Sequence, residues 1–78
     1  MMNNVEFRAL RSKAELTQAQ VARRSHVDHT RVCMWEKGNI ALHPAQVASL
    51  EKALLDLIRE SAEQLNKLVR ESRQSATA

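Results

Sequence analysis

The chain has few of the residues that let a short protein rely on covalent or metal-based stabilisation. One cysteine, Cys33, stands among 78 residues, so no intrachain disulfide can form, and a reducing, cytoplasmic setting is the expectation. There is one glycine, one proline, one tryptophan, one phenylalanine and no tyrosine. A lone glycine cannot build a phosphate-cradling loop, and two aromatics cannot make a stacking platform for single-stranded nucleic acid. No apolar run approaches the roughly 18 residues of a membrane span, and no secretory leader pattern is visible, so no membrane partner is expected. No Ser-His-Asp order and no pair of acid–base carboxylates points to catalysis, so the chain is not expected to be an enzyme. With 44% apolar and 27% charged residues, the composition is that of one small globular domain. A core this small makes self-association an expected source of stability.

What is present is unevenly placed. The net charge is +3; residues 1–44 carry seven basic and four acidic side chains, and residues 45–78 carry five of each. The whole excess sits on the first half, as contact with a polyanion requires.

Local signals divide that half into three short helices. Asn3 or Asn4 caps the first, Asn3 and Glu6 have capping-box spacing, and Val5, Phe7, Leu10 and Ala14 supply its apolar side. Thr17 with Gln20 forms a second capping box and starts a helix running to about Arg24, with Val21 and Ala22 inward and Arg23 and Arg24 solvated. Asp28 caps a third helix, in which Val32 and Trp35 recur at i, i+3, and Gly38 ends it after Lys37. Residues 38–43 form a loop that tucks Ile40 and Leu42 inward, and Pro44 suits the first turn of a fourth helix.

Two short amphipathic helices joined by a tight turn are a common device for laying one helix in the major groove of DNA. The outward residues of the third helix, His29, Thr30, Arg31, Cys33 and Met34, are then the candidate base contacts. Arg31 can hold guanine bidentately or clamp a phosphate, His29 can donate to the same edge, and the Thr30 methyl can meet that of thymine. His26, His29 and Cys33 also have a spacing compatible with zinc, but no fourth ligand accompanies them, so neither a metal nor a cofactor is expected. Oxidation of Cys33 would block docking, yet nothing else points to a redox switch.

From Ala45 to Gln74 there is neither glycine nor proline. Val47, Leu50, Leu54, Leu57 and Ile58 form a stripe that continues as Ala62, Leu65, Leu68 and Val69, beyond what a compact core covers. Either the helix projects and meets a second copy through Leu57, Ile58, Ala62, Leu65, Leu68 and Val69, or a turn near residues 60–63 folds it back. Residues 1–55 are thus the expected binding domain, and 56–78 a dimerisation helix with a frayed tail from residue 73.

Leu10-Arg11, Leu16-Thr17-Gln18, Val21-Ala22, Val27, Val32, Trp35-Glu36-Lys37-Gly38, Pro44 and Leu50 together resemble the lambda-repressor-like helix-turn-helix domains of phage repressors, Cro proteins and XRE regulators. The resemblance covers somewhat over half the chain. It implies an all-α domain of four to five helices, here with an extended C-terminal helix. It also implies base reading at His29 and Thr30, with Cys33 and Met34 one turn further on, and an Arg11–Glu36 ion pair tying the first helix to the end of the third. Backbone contacts are implied at Gln18, Lys37 and Asn39, to which Thr17, Arg23, Arg24 and Asp28 are added. Glu15 and His26 stand where the family usually has glycine, at positions expected to be left-handed; Asp28 replaces the common Ser or Thr cap. The implied function is sequence-specific regulation of transcription by a homodimer on a palindromic DNA operator, as in the small autorepressors of phages and mobile elements. The alternative is an antitoxin-like interaction protein whose C-terminal helix binds a partner protein.

Overall fold

Each of the first two helices opens on a reciprocal cap. The Asn3 side chain accepts from the Glu6 amide at 2.8 Å, while Glu6 accepts from the Asn3 amide at 3.1 Å. Thr17 and Gln20 repeat the arrangement, with Thr17 Oγ1 accepting at 3.1 Å and Gln20 Oε1 at 2.8 Å. These boxes satisfy amides that the helix cannot bond internally. The computed structural model describes residues 1–77, with side chains through Arg73, and places four helices in order: α1 (Asn4–Lys13), α2 (Gln18–Ser25), α3 (His29–Glu36) and α4 (Pro44–Thr77). Among the described residues there is no strand, and the fold is all-α with a long C-terminal helix.

The helix ends are as specific as the starts. After α1, Glu15 N donates to Ser12 O and Leu16 N to Arg11 O, at 3.0 and 3.1 Å. After α3, Gly38 N donates to Trp35 O and Asn39 N to Met34 O, both at 2.9 Å. Both are Schellman closures, which need a left-handed residue at the turn. Gly38 meets that need freely at φ 81°, whereas Glu15 and His26 are non-glycine residues held at φ 60°. His43 caps α4, its Nδ1 accepting from the Ala45 amide at 3.1 Å.

The core comprises Phe7, Val21, Ala22, Val27, Val32, Trp35, Leu42, Val47, Leu50, Ala53 and Leu54. Phe7 and Trp35, the only aromatics in the chain, meet with ring centroids 5.2 Å apart and planes tilted by 59°. That tilted contact fastens α1 to α3. Val5, expected beside Phe7, is 68% exposed instead, because two residues along a helix turn a side chain to nearly the opposite face. Ile40 is half-buried and Leu42 buried, so the loop before α4 helps to close the core.

α4 does not turn back near residues 60–63, and no fifth helix forms among the described residues. At 1.5 Å per residue its 34 residues span about 51 Å, which sets the long dimension of a molecule measuring 55 × 21 × 19 Å. Its first half packs on the other helices, mainly on α2. Every described side chain from residue 61 to 73 is exposed, so the second half stands clear as an arm. The backbone is helical through Thr77, and Ala78, the last position of the tail expected from residue 73, lies outside the described residues. Among the described residues no helix is long and apolar enough to cross a membrane.

Candidate nucleic-acid interface

α3 is held by its C-terminal residue. Glu36 is 3% exposed, and its carboxylate receives Arg11 Nε at 2.8 Å, Arg11 Nη2 at 2.7 Å and Gln18 Nε2 at 3.1 Å. Arg11 also donates Nη1 to the carbonyl of Leu16 at 2.8 Å. One buried carboxylate thereby joins α1, the α1–α2 turn, α2 and α3. The pairing is bidentate, the geometry in which a buried ion pair offsets its desolvation best. The hydrogen bond to Glu36 raises the Arg11 pKa, burial opposes the rise, and the charge of Glu36 adds to it. A raised basic pKa contributes stability throughout the range below the ordinary guanidinium value and loses it only above that, so the clamp is insensitive to alkali at any working pH.

The α2–α3 turn fixes the angle between the two helices. His26 adopts the left-handed conformation at φ 60°, ψ 26°, Val27 is buried as a peg, and Asp28 accepts from the Arg31 amide at 3.3 Å to start α3. The Ser25 hydroxyl donates to the Ala22 carbonyl at 3.1 Å, closing the end of α2.

With Val32, Trp35 and Glu36 turned inward, the outer side of α3 carries His29, Thr30 and Arg31, all exposed. Met34 is 38% exposed, and Cys33 is half-buried at the edge of this face. Among the described residues, the side chains of His29, Thr30 and Arg31 have no intramolecular hydrogen bond or ion pair, which leaves their donors for an external ligand. Lys37 and Asn39, both exposed, stand just past the end of the helix.

The remaining candidates divide. Thr17 and Asp28 are exposed, but their side-chain oxygens are occupied as caps. Gln18, half-buried, already braces Glu36. Arg23 is exposed on α2. Arg24 turns the other way: its guanidinium donates Nη1 to Glu60 Oε2 at 3.2 Å and Nη2 to Glu60 Oε1, clamping α2 to α4. Those hydrogen bonds, and then the charge of Glu60, raise its pKa. The sequence contains no local signal for this pair, whose members lie 36 residues apart.

On α4 the apolar candidates also separate. Leu57 is half-buried on the side facing α2, close to Leu16 and Gln20, and Ile58 is half-buried at the edge of the core. Leu65, Leu68 and Val69 are 60%, 60% and 50% exposed, and Ala62 is exposed among them. Leu55, which the sequence stripe did not include, is 51% exposed. Its seven-residue spacing to Ala62 and Val69 is the signal that would have found it.

No curated protein and no solved structure matches this chain significantly. A family model described as a helix-turn-helix domain does match, over residues 5–68, from the first turn of α1 to partway along the arm of α4. The chain belongs to the helix-turn-helix family of DNA-binding domains.

Proposed function

We propose that this chain is a sequence-specific transcriptional regulator of the lambda-repressor-like, XRE type, acting as a dimeric autorepressor of a small phage or mobile-element operon. The observation that supports this most is the pairing of an unengaged donor face, His29, Thr30 and Arg31, with a rigid mount built from Arg11, Glu36 and Gln18. Sequence reading needs side chains that are free to contact bases on a helix that is not free to move. In this reading α3 lies in the major groove; His29, Thr30, Arg31 and Met34 set sequence, with Cys33 at the margin. Gln18, Arg23, Lys37 and Asn39 grip phosphates, and the N-terminal turns capped by Thr17 and Asp28 face the backbone. Arg24 leaves the phosphate set for its role as a clamp to Glu60.

The arm, residues 56–78 in the expected division of the chain, is the dimerisation element of this reading. Two copies would place α3 in successive major grooves of a palindromic operator, with half-site centres about 34–36 Å apart. Repression then follows from occlusion of polymerase at the same site. Footprinting on the DNA flanking the chain's own gene tests the whole reading; a protected pseudo-palindrome is expected, and uniform weak protection of any sequence would contradict it. The bare apolar arm also fits an antitoxin-like protein that buries the stripe against a different polypeptide. Replacing Leu65 and Leu68 together with Glu separates the two readings. The regulator becomes monomeric in sedimentation and loses operator affinity, whereas a protein dedicated to another partner shows a monomer before and after.

A further inference from the structure

The arm carries more information than bare apolar surface, and it concerns which way a second copy lies. This inference rests on the dimeric reading above. Along the stripe the large residues are Ile58, half-buried at the edge of the core, and the exposed Leu65, Leu68 and Val69; the small ones are the exposed Ser61, Ala62 and Ser72. We propose that the occupant of this stripe is the same stripe of a second copy, running antiparallel about a two-fold axis at Leu65.

With the axis there, residues equally far on either side come level with one another. Ile58 then lies level with the partner's Ser72, Ser61 with the partner's Val69, and Ala62 with the partner's Leu68. Each of these layers sets a large side chain against a small one, and only the central layer joins like to like, Leu65 with Leu65. Two helices can then keep one separation of about 8–10 Å along the whole contact. A parallel, in-register pair would instead set Ser61 and Ala62 against their own copies, and Leu68 and Val69 against theirs. Loose and overfull layers would alternate, which packed interfaces do not tolerate well.

The charges favour the same direction. Residues 56–63 carry three acidic side chains and one basic, Asp56, Glu60, Glu63 and Arg59, and residues 67–73 carry three basic and one acidic, Lys67, Arg70, Arg73 and Glu71. Antiparallel pairing lays the acidic stretch of each arm along the basic stretch of the other; parallel pairing lays like on like. These side chains flank or back the stripe, Glu60 is already met by Arg24, and Asp56 is already met by Arg59 and Lys52, so shape contributes more than charge.

The pairing has a consequence for DNA. The buried part of α4 centres near residue 51, fourteen residues before the axis, so the two domain cores would lie about 42 Å apart along the arms. That is on the scale of the roughly 34–36 Å between equivalent points on adjacent turns of duplex DNA.

Lys52 is 82% exposed on α4, which suits a nitroxide label on a Lys52→Cys, Cys33→Ser chain. Double electron–electron resonance on this otherwise full-length protein reads the direction of pairing. An antiparallel dimer puts the labels on the order of 40 Å apart, from 26 residues of helical rise. A dimer with the labels within about 25 Å, the spacing of helices lying side by side, overturns the antiparallel arrangement and leaves the dimer standing. A chain that sediments as a monomer at the labelling concentration overturns the dimer itself, and the inference with it.

Discussion

Residues 44–58 and residues 59–77 belong to one uninterrupted helix, yet they have opposite relations to solvent. In the first stretch Val47, Leu50, Ala53 and Leu54 are buried, and Leu50 and Leu54 completely so. In the second, Leu65, Leu68 and Val69 occupy comparable helical spacings and are half-exposed or more. The sequence pattern is nearly the same; what differs is whether another helix is there to cover it. α1, α2 and α3 cover α4 only to about residue 60, where the Arg24–Glu60 clamp is the farthest hydrogen bond between α2 and α4 among the described residues. An apolar stripe therefore identifies a surface that needs a partner, without saying whether that partner belongs to the same chain.

The sharpest way to break this comparison is to make one truncation in each half. Leu54→Ala should cost about 2–5 kcal/mol in chemical denaturation, because it leaves a cavity in a closed core. Leu65→Ala, measured on the dilute monomer, should stay within about 0.5 kcal/mol of the parent. Similar losses at both sites would mean that the arm folds back in solution.

The two arginine clamps extend the contrast to polar groups. Arg11→Ala leaves the carboxylate of Glu36, whose side chain is 1% exposed, with Gln18 as its remaining hydrogen-bond partner; a loss of about 3–5 kcal/mol is expected in the same assay. Arg24→Ala removes a pair whose side chains are both nearly half-exposed, and water replaces the lost contact. Its effect on the unfolding midpoint should be far smaller than that of Arg11→Ala, and equal effects would place the rigid mount of α3 elsewhere.

Arg31→Ala moves the test to the DNA side. If Arg31 reads a base, binding to the cognate site should weaken by about 1–3 kcal/mol in a titration, with less loss on random duplex. Equal loss on both would make it a phosphate contact. The smallest effect is expected at Glu15, held at φ 60°: Glu15→Gly should stabilise the fold by no more than about 1 kcal/mol, and destabilisation would show that the left-handed turn is not strained.

How far the sequence could be read follows the range of each interaction. Caps and helix ends depend on neighbours three to six residues away, so Asn3–Glu6, Thr17–Gln20, Asp28 and Gly38 were all legible, as were the left-handed Glu15 and His26 through the family pattern. The Arg24–Glu60 clamp was not, since nothing local distinguishes Arg24 from Arg23 until α4 lies beside α2. Leu55 escaped because its neighbour Leu54 matches the core stripe, although the seven-residue spacing from Leu55 to Ala62 and Val69 marks it as the outer of the two. At the interface, the face of α3 was readable because Val32 and Trp35 had to be buried, which fixed the opposite side. The length of the arm was not, because glycine- and proline-free sequence permits a continuous helix without requiring one.

In the proposed function, the side of α3 facing away from Val32 and Trp35 is the surface that meets duplex DNA. Backbone amide shifts of the labelled protein, followed by NMR as its own promoter fragment is added, measure this directly. The largest changes are expected on His29 to Met34, extending to Lys37 and Asn39, while Leu65 to Val69 stay still. Changes centred on the arm or on the exposed side of α1, with α3 silent, would contradict it.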